Sequence, residues 1–174
     1  STPIKSSAAS DVYKRQILDD LKCPFIINQN RYSIFDRTIE NNGLKNTAEK
    51  LGKGIIAFSP LAQGMLTDRY LNGIPCDSRV KKDGRFLKEN ALTKERIMQI
   101  EQLNALAEER GQSLAEMALA WVLKDHSVTS VLIGASKPSQ ILDNIRAIQN
   151  TSFCEEELEK IENIYLMNPD YTTR

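Results

Sequence analysis

The segment Gly54-Ile-Ile-Ala-Phe-Ser-Pro-Leu-Ala-Gln-Gly-Met-Leu-Thr-Asp-Arg-Tyr70 decides the predicted fold of this chain. Its apolar run from Ile55 to Phe58 is bounded by Gly54 and by Ser59-Pro60, which is typical of a strand buried in a parallel sheet. A hydroxyl, an amide and a glycine follow at its carboxyl end. α/β proteins place ligands at such ends, although an ordinary exit from a strand into a loop would use the same residue types.

Two further apolar runs predict strands at Phe25 to Asn28 and at Val128 to Gly134. Helices are predicted between and after the strands, from Glu40 to Leu51, after the N-cap Thr93, after the capping box Ser113 to Glu116, and after a second capping box, Ser152 to Glu155. Strands that alternate with helices predict an α/β fold with right-handed crossovers. Three parallel strands alone make a poor closed sheet.

Two stretches stand apart from this pattern. Residues 1–16 are rich in Ser and Ala and have no sustained apolar period, so they are predicted to be a non-native or disordered leader. Leu71 to Asn90 combines turn residues with charge and predicts a long loop, which in a compact domain is usually functional or disordered. The predicted domain therefore spans residues 17–174.

The charge balance disfavours nucleic acid and membranes as partners. The 174 residues include 23 basic and 23 acidic side chains, so no global field attracts a polyanion or an anionic bilayer. A helix-turn-helix reader of DNA between Thr93 and Lys124 is also disfavoured, because no Lys or Arg lies between Ser113 and Leu123. Three widely spaced cysteines and one histidine indicate neither a disulfide framework nor a zinc site, which predicts a cytoplasmic protein.

Polar groups of similar type follow each predicted strand. They are Asn28-Gln29, then Ser59 with Gln63-Gly64, then Gly134-Ala-Ser-Lys137 with Gln140 and Asn144. Parallel strands bring these ends to one rim, where amides, hydroxyls and a cation suit an anionic ligand that carries an amide. The third group adds a helix N-terminus, which favours a phosphate beside Lys137. Capping and turn chemistry alone is the alternative interpretation.

Several motifs resemble the aldo-keto reductase family. They are the segment from Gly54 to Tyr70, Leu-Asn-Gly-Ile-Pro-Cys-Asp-Ser-Arg79, Ala-Leu-Ala-Trp-Val-Leu, and Val-Leu-Ile-Gly-Ala-Ser-Lys-Pro-Ser-Gln-Ile-Leu-Asp-Asn-Ile. The resemblance is strongest to the bacterial L-glyceraldehyde 3-phosphate reductase branch, which is related to voltage-gated potassium channel β subunits. It implies a TIM (β/α)8 barrel, of which this chain would supply a part with about three parallel strands, strands six to eight, and their helices.

The resemblance also implies an NADP(H) site. Gln29 would hold the nicotinamide carboxamide, and the ring of Phe58 would stack on the nicotinamide. Near the pyrophosphate the resemblance places Ser59, Leu61, Gln63, Gly64 and Arg69. At the adenosine end and the 2′-phosphate it places Gly134, Ser136, Lys137, Gln140 and Asn144.

The family's catalytic Asp, Tyr, Lys and His have no counterpart in residues 17–174. The chain therefore resembles the carboxyl-terminal half of a reductase whose intact form reduces small aldehydes, such as glyceraldehyde 3-phosphate or methylglyoxal. This half alone is expected to be inactive. A non-catalytic, nucleotide-binding regulatory subunit is the alternative. Because a partial barrel leaves strand edges unpaired, we expect the chain to associate with itself.

Overall fold

A computed structural model describes residues 17–18, 20–22, 27–71 and 92–168 of the chain. Outside this description lie the predicted leader, residues 23–26, which include Phe25 and Ile26 of the predicted first strand, the predicted loop after Leu71 and the last six residues. The described residues form a three-stranded sheet with helices on one of its faces.

The strands and helices alternate along the chain as the sequence predicts. The strands are β1 (Ile27–Arg31), β2 (Gly54–Phe58) and β3 (Ser130–Val131), in the spatial order β1-β2-β3. The helices are α1 (Thr38–Asn41), α2 (Leu44–Lys50), α3 (Lys94–Glu109), α4 (Leu114–Leu123), α5 (Pro138–Arg146) and α6 (Glu155–Leu166). Both strand pairings are parallel, which confirms the predicted α/β architecture.

Two predicted strand boundaries are wrong. The first strand does not end at Asn28, because Asn28 to Arg31 continue the parallel ladder opposite Ile55 to Phe58. The third strand is shorter than predicted, since only Ser130 and Val131 pair with β2. In both places the prediction followed the polarity of the side chains. The observed strand instead extends as far as its backbone pairs with the neighbouring strand.

The helix predictions fail where a local backbone feature intervenes. Gly43, with φ 78°, separates α1 from α2, so the predicted helix from Glu40 to Leu51 is interrupted. The last helix begins at Glu155, with Cys154 rather than Ser152 as its N-cap, because the Glu157 carboxylate accepts the Cys154 N–H at 2.8 Å.

Two predicted helix starts are confirmed. The Thr93 hydroxyl accepts the Arg96 N–H at 3.2 Å at the start of α3. Ser113 and Glu116 form the predicted capping box at the start of α4, with the Ser113 N–H donating to the Glu116 carboxylate at 2.7 Å. Both caps satisfy N–H groups that a helix start would otherwise leave without partners.

The core lies between the sheet and the helices. Ile55 and Ala57 of β2 point into it and are completely buried. Helix α4 packs against α3, α5 and β3, and α6 packs on α3. The buried Arg37 joins these layers, because its guanidinium carbon lies 4.7 Å from the ring centroid of Trp121 and 4.2 Å from that of Tyr165. The helices therefore cover one face of the sheet.

Candidate active site on the open face of the sheet

The face of the sheet that points away from the helices carries two of the predicted site residues. Side chains alternate along a strand, so Ile27, Gln29 and Arg31 share the face of their β2 partners Gly54, Ile56 and Phe58. Their exposure agrees with this assignment, since Ile27 is 42% exposed and Gln29 is exposed, whereas Ile55 on the other face is fully buried. The register thus puts Gln29 and Phe58 on one open face. Gln29 lies opposite Ile56, and Phe58 belongs to the next pair on that face, opposite Arg31.

Gly54 lets the strands pack closely at the other end of this face. A Cβ atom at Gly54 would lie 2.7 Å from the Thr129 hydroxyl and 3.2 Å from the Ile27 side chain. These distances leave no room for a larger residue between β1 and the chain before β3. The glycine that sequence analysis treated as a strand boundary is therefore also a packing requirement.

The loop after β2 has an unusual backbone. Ser59, Ala62 and Gln63 have positive φ values of 54°, 46° and 62°, and Gly64 follows with φ 97°. Non-glycine residues rarely adopt this region, and such strain is concentrated at functional sites. Backbone hydrogen bonds hold the loop, with the Ala62 N–H donating to Ser59 at 2.9 Å and the Gly64 N–H donating to Leu61 at 2.8 Å. The predicted site residues of this loop thus lie in one folded turn.

Arg69 lies on the exposed side of the next short 3₁₀ turn, Asp68–Tyr70. The Thr67 hydroxyl connects this turn to the loop, because it donates to the Gly64 carbonyl at 2.7 Å and accepts the Arg69 N–H at 3.3 Å. Tyr70 beside it is buried. The turn therefore continues the rim that begins at Ser59.

A second group of predicted site residues lies at the start of α5. The Gln140 side-chain oxygen accepts the N–H groups of Ser136, at 2.8 Å, and of Lys137, at 3.2 Å. Gln140 therefore caps the helix start that was predicted to receive a phosphate. Gly134, Ser136 and Lys137 are exposed, and Asn144 is half-buried. Local hydrogen bonds hold this group together, whereas the register between β1 and β2 brings Gln29 and Phe58 onto one face.

Arg31 is a residue of the open face that sequence analysis did not single out. Its guanidinium carbon lies 5.8 Å from the centroid of the Phe58 ring. The signal was present in the sequence, because Arg31 follows Gln29 by two positions and a strand that continues to Arg31 puts both on one face. Arg31 was missed because the strand was predicted to end at Asn28.

A buried polar cluster lies on the opposite, helix-covered side. The Tyr32 hydroxyl is hydrogen-bonded to Glu40 and lies 3.2 Å from the Lys124 ammonium and 3.4 Å from that of Lys45. Lys45 is also paired with Asp125. Cations and carboxylates are thus both present in the cluster, which connects α1 and α2 with the end of α4.

Burial changes the protonation behaviour of this cluster. It raises the pKa of Tyr32 far above its usual value, with Glu40 acting in the same direction. It lowers the pKa of Lys124 to about 8, and the neighbouring charge of Lys45 adds to the effect. Burial would also raise the pKa of Asp125, but hydrogen bonds from Lys45 and Ser127 outweigh it and lower that pKa. Tyr32 is 0% exposed, so its hydroxyl cannot reach a substrate.

Two further features are absent from the described residues. No described helix combines the length and the apolar character that crossing a membrane requires. No group of three or more His, Cys, Asp or Glu side chains within the described ranges could hold a metal ion.

Comparisons with known proteins agree on one family. The sequence profile of the aldo/keto reductase family matches residues 5–166. Two similar proteins are the L-glyceraldehyde 3-phosphate reductases of Escherichia coli O157:H7 and of Escherichia coli strain K12. Each is 45% identical over 150 residues, which is 84% of this chain and 43% of the relative. The chain therefore spans less than half the length of these relatives.

Solved structures show the same likeness at the level of the fold. The glycerol dehydrogenase of Gluconobacter oxydans is 26% identical, with a TM-score of 0.71 over 92% of this chain and 50% of that one. A thermostable aldo-keto reductase is 21% identical, with a TM-score of 0.58 over 87% of this chain and 45% of that one. These neighbours are TIM barrels, which confirms the predicted fold class of a partial barrel with three parallel strands.

Proposed function

Because the chain belongs to the aldo/keto reductase family, we propose that it carries the cofactor-binding part of an NADPH-dependent oxidoreductase that reduces small aldehydes. The observation that carries this proposal is the common open face of Gln29 and Phe58, which the strained loop after β2 continues. Glyceraldehyde 3-phosphate or methylglyoxal is the expected type of substrate. The names of the E. coli relatives support the first of these.

The open face fits a nicotinamide and its carboxamide. The half-buried ring of Phe58 offers a flat apolar surface for stacking. The exposed Gln29 side chain can both donate to and accept from a carboxamide. When bound, the reduced nicotinamide supplies the hydride for the carbonyl carbon. Gln29 and Phe58 would hold and orient the ring, and the turn formed by Ser59, Leu61, Gln63 and Gly64 would lie along the pyrophosphate, with Arg69 nearby.

The group at the start of α5 would hold the adenosine end. The side chain of Gln140 already accepts the backbone N–H groups of Ser136 and Lys137. The contact with the 2′-phosphate is therefore expected from the side-chain ammonium of Lys137. Asn144, one turn further along α5, and Gly134 before it would line the same end. Since the 2′-phosphate distinguishes NADPH from NADH, Lys137 should set the preference between the two.

Replacement of Lys137 tests this proposal. We expect Lys137→Glu to weaken NADPH binding by about tenfold or more, because a charge-assisted contact is replaced by repulsion. NADH binding should change little. The measurement is a fluorescence titration of this chain with each reduced cofactor.

Lys94→Glu is the matched control, because Lys94 is also an exposed lysine at a helix start, that of α3. Its affinity for both cofactors should equal that of the wild type. Equal losses of NADPH and NADH in Lys137→Glu would contradict the assignment of Lys137 to the 2′-phosphate. No measurable binding of either cofactor to the wild type would contradict the proposed function itself.

Binding without turnover is the second candidate function, as in a nucleotide-sensing regulatory subunit. Three described tyrosines are largely shielded from solvent, with exposed fractions of 0% for Tyr32, 3% for Tyr70 and 9% for Tyr165. A buried hydroxyl cannot donate a proton to a carbonyl oxygen on the open face. We therefore expect no aldehyde reduction by this chain with NADPH and methylglyoxal. Turnover by the wild type would contradict this expectation, and its persistence in a Tyr32→Phe, Tyr70→Phe double variant would show that neither hydroxyl is its proton donor.

Self-association and a cytoplasmic location complete the proposal. Leu132 and Ile133, which follow β3, are 47% and 37% exposed, and three large apolar residues of α5 are exposed as well. Apolar surface of this extent next to a strand edge favours pairing with another copy. The location is proposed from the small number and wide spacing of the cysteines.

A further inference from the structure

Tyr32 connects the candidate site with the buried polar cluster on the other side of the sheet. Its backbone N–H donates to the Phe58 carbonyl at 3.3 Å, which extends the contact between β1 and β2 one residue beyond the pair of Arg31 and Phe58. Its side chain is completely buried on the helix-covered side, whereas Phe58 belongs to the open face. One residue therefore contacts both the backbone of the candidate site and the interior of the fold.

The Tyr32 hydroxyl uses its full hydrogen-bonding capacity. It donates to the Glu40 carboxylate and accepts from the ammonium groups of Lys124, at 3.2 Å, and of Lys45, at 3.4 Å. The ring is held as well, because its centroid lies 5.3 Å from that of Trp121. Contacts from α1, α2 and the end of α4 therefore fix this side chain.

The charges around the hydroxyl are paired within the cluster. Lys45 pairs with Asp125 and lies 3.6 Å from the Glu40 carboxylate, and Lys124 lies 3.9 Å from the same carboxylate. The side chains of Lys45 and Lys124 are only 10% and 16% exposed. Removal of the central hydroxyl would take a partner from three of these groups in a place that water reaches poorly, so the cluster would have to rearrange.

We propose that Tyr32 is a positioning residue of the candidate site, which fixes the end of β1 against β2 and thereby the position of the Phe58 ring on the open face. The proposal rests on the proposed function, because it takes Phe58 as the residue that stacks on the nicotinamide. Tyr32 acts through Phe58 and contacts no ligand, since its side chain is completely buried. A change at its hydroxyl should therefore reach the open face through the backbone.

Amide hydrogen exchange on this chain tests the proposal without a cofactor. Tyr32→Phe removes the hydroxyl and keeps the ring. We expect the protection of the amide at position 32 to fall about tenfold or more, because the strand end opens more often. The Leu132 N–H donates to the Ala57 carbonyl at 2.8 Å on the other side of β2, and its protection should fall by less than about twofold.

Tyr165→Phe is the matched control, because it removes the hydroxyl of another largely buried tyrosine, which belongs to α6. It should leave both amides unchanged. Equal losses at positions 32 and 132 in Tyr32→Phe would show that the hydroxyl stabilises the fold as a whole, and would overturn the proposal. Unchanged protection at position 32 would overturn it as well.

Two ligands test whether the anchoring reaches the cofactor site. NADPH would use both the open face and the start of α5, whereas adenosine 2′,5′-bisphosphate has no nicotinamide and would use the start of α5 alone. We expect Tyr32→Phe to bind NADPH about fivefold more weakly or worse, since the site is less preorganised, and to bind the bisphosphate within about twofold of the wild type.

The binding results separate this proposal from the proposed function. Unchanged NADPH binding despite lost protection at position 32, or equal weakening of both ligands, would overturn the role of Tyr32 in the site. If NADPH does not bind the wild type at all, the proposed function fails, while hydrogen exchange still decides whether Tyr32 anchors the strand end.

Lys124 supplies a test on the wild type, which does not depend on how well a variant folds. Burial lowers the pKa of Lys124 to about 8, the charges of Lys45 and Arg37 add to the effect, and those of Glu40 and Asp125 oppose it. An opening of the cluster that exposes Lys124 would return this pKa to its usual value of 10.5. The open form therefore binds more protons between these values, and opening becomes rarer as the pH rises.

The protection of the Tyr32 amide, corrected for the pH dependence of exchange itself and divided by that of Leu132, should rise between pH 7 and pH 9 by up to about tenfold. Tyr32 keeps its proton over this range, because burial and Glu40 raise its pKa. Lys124→Met should flatten the rise, and Lys160→Met, which changes a half-exposed lysine of α6, should retain it. A ratio that is the same at pH 7 and pH 9 in the wild type would overturn the proposal.

Discussion

Helices α4 and α5 precede and follow β3 along the chain and pack against each other, yet they differ completely in burial. Eight of the ten residues of α4 are buried, including Trp121 and Met117. None of the nine residues of α5 is buried, although Ile141, Leu142 and Ile145 give it an apolar face. An amphipathic pattern therefore shows that a helix has an apolar side, but the fold decides whether that side is covered.

The cover of α4 comes from elements that the structure describes. Helix α3, β3 and the segment around Tyr32 all contact it, and the Trp121 ring centroid lies 5.3 Å from that of Tyr32. The apolar side chains of α5 continue one turn further to Ile148, which is 64% exposed. Patches of this kind on a monomer usually mark an interaction site. Truncation of a large apolar side chain is therefore expected to have different consequences on α4 and on α5.

Truncation of Trp121 should have the largest effect. Its side chain is 2% exposed, with the Arg37 guanidinium carbon 4.7 Å and the Lys124 ammonium 3.6 Å from the ring centroid. We expect Trp121→Ala to lower the free energy of unfolding by about 3–5 kcal/mol, because it leaves a cavity and removes both cation–π contacts. Urea denaturation followed by circular dichroism measures this change.

The matched substitution on α5 is Leu142→Ala. Leu142 is 63% exposed, so its truncation should change the free energy of unfolding by less than about 0.5 kcal/mol. A similar loss in Leu142→Ala and Trp121→Ala would show that α5 is covered in solution as α4 is.

Lys124 should make stability depend on pH at the end of α4. Burial lowers its pKa to about 8 in the folded chain, whereas an unfolded lysine titrates near its usual value of 10.5. Between these values the unfolded state binds more protons, so the free energy of unfolding rises as the pH rises. The rise is at most about 3 kcal/mol. The raised pKa of Tyr32 acts in the opposite direction above about pH 10, where an unfolded tyrosine ionises.

Urea unfolding between pH 7 and pH 10 measures this dependence. The wild type should become more stable across this range, and Lys124→Met should show a much flatter profile. Lys160→Met is the control, because the Lys160 side chain is 47% exposed and lies on α6. It should follow the wild-type profile. A wild type whose stability falls steadily from pH 7 to pH 10 would contradict the assignment to Lys124.

The sequence anticipates those features that depend on neighbours along the chain. The strand at Ile55 to Phe58 is correct because glycine and proline bound an apolar run, and the caps at Thr93 and Ser113 are correct because a cap involves residues three positions apart. These predictions needed no knowledge of distant contacts.

The errors occur where distant residues decide. Ser152 was predicted to cap α6, but its carbonyl accepts a hydrogen bond from Arg110 at 2.9 Å, and the Arg110 guanidinium lies 3.8 Å from the centroid of the Phe153 ring. These contacts accompany a helix start two residues later, at Glu155. The contact of Arg31 with the Phe58 ring depends in the same way on the register between two strands. No pattern within one segment specifies it.

Substitution on the apolar face of α5 should have the smallest effect on folding, but it tests self-association directly. Ile145 is 51% exposed and lies one turn from Ile141. A glutamate at this position would have to lose its hydration to enter an interface between two copies, whereas in a monomer it would remain in water. We therefore expect Ile145→Glu to raise the dissociation constant for self-association about tenfold or more. Its free energy of unfolding, measured where both variants are monomeric, should change by less than about 0.5 kcal/mol.

Sedimentation velocity over a range of protein concentrations measures the association. Met98→Glu is the matched control, because Met98 is 48% exposed but lies on α3 and not on α5. This variant should associate like the wild type. A wild type that remains monomeric at all concentrations would contradict the proposed self-association. Equal weakening by both variants would show that the α5 face is not the specific interface, and that the contrast between α4 and α5 has another origin.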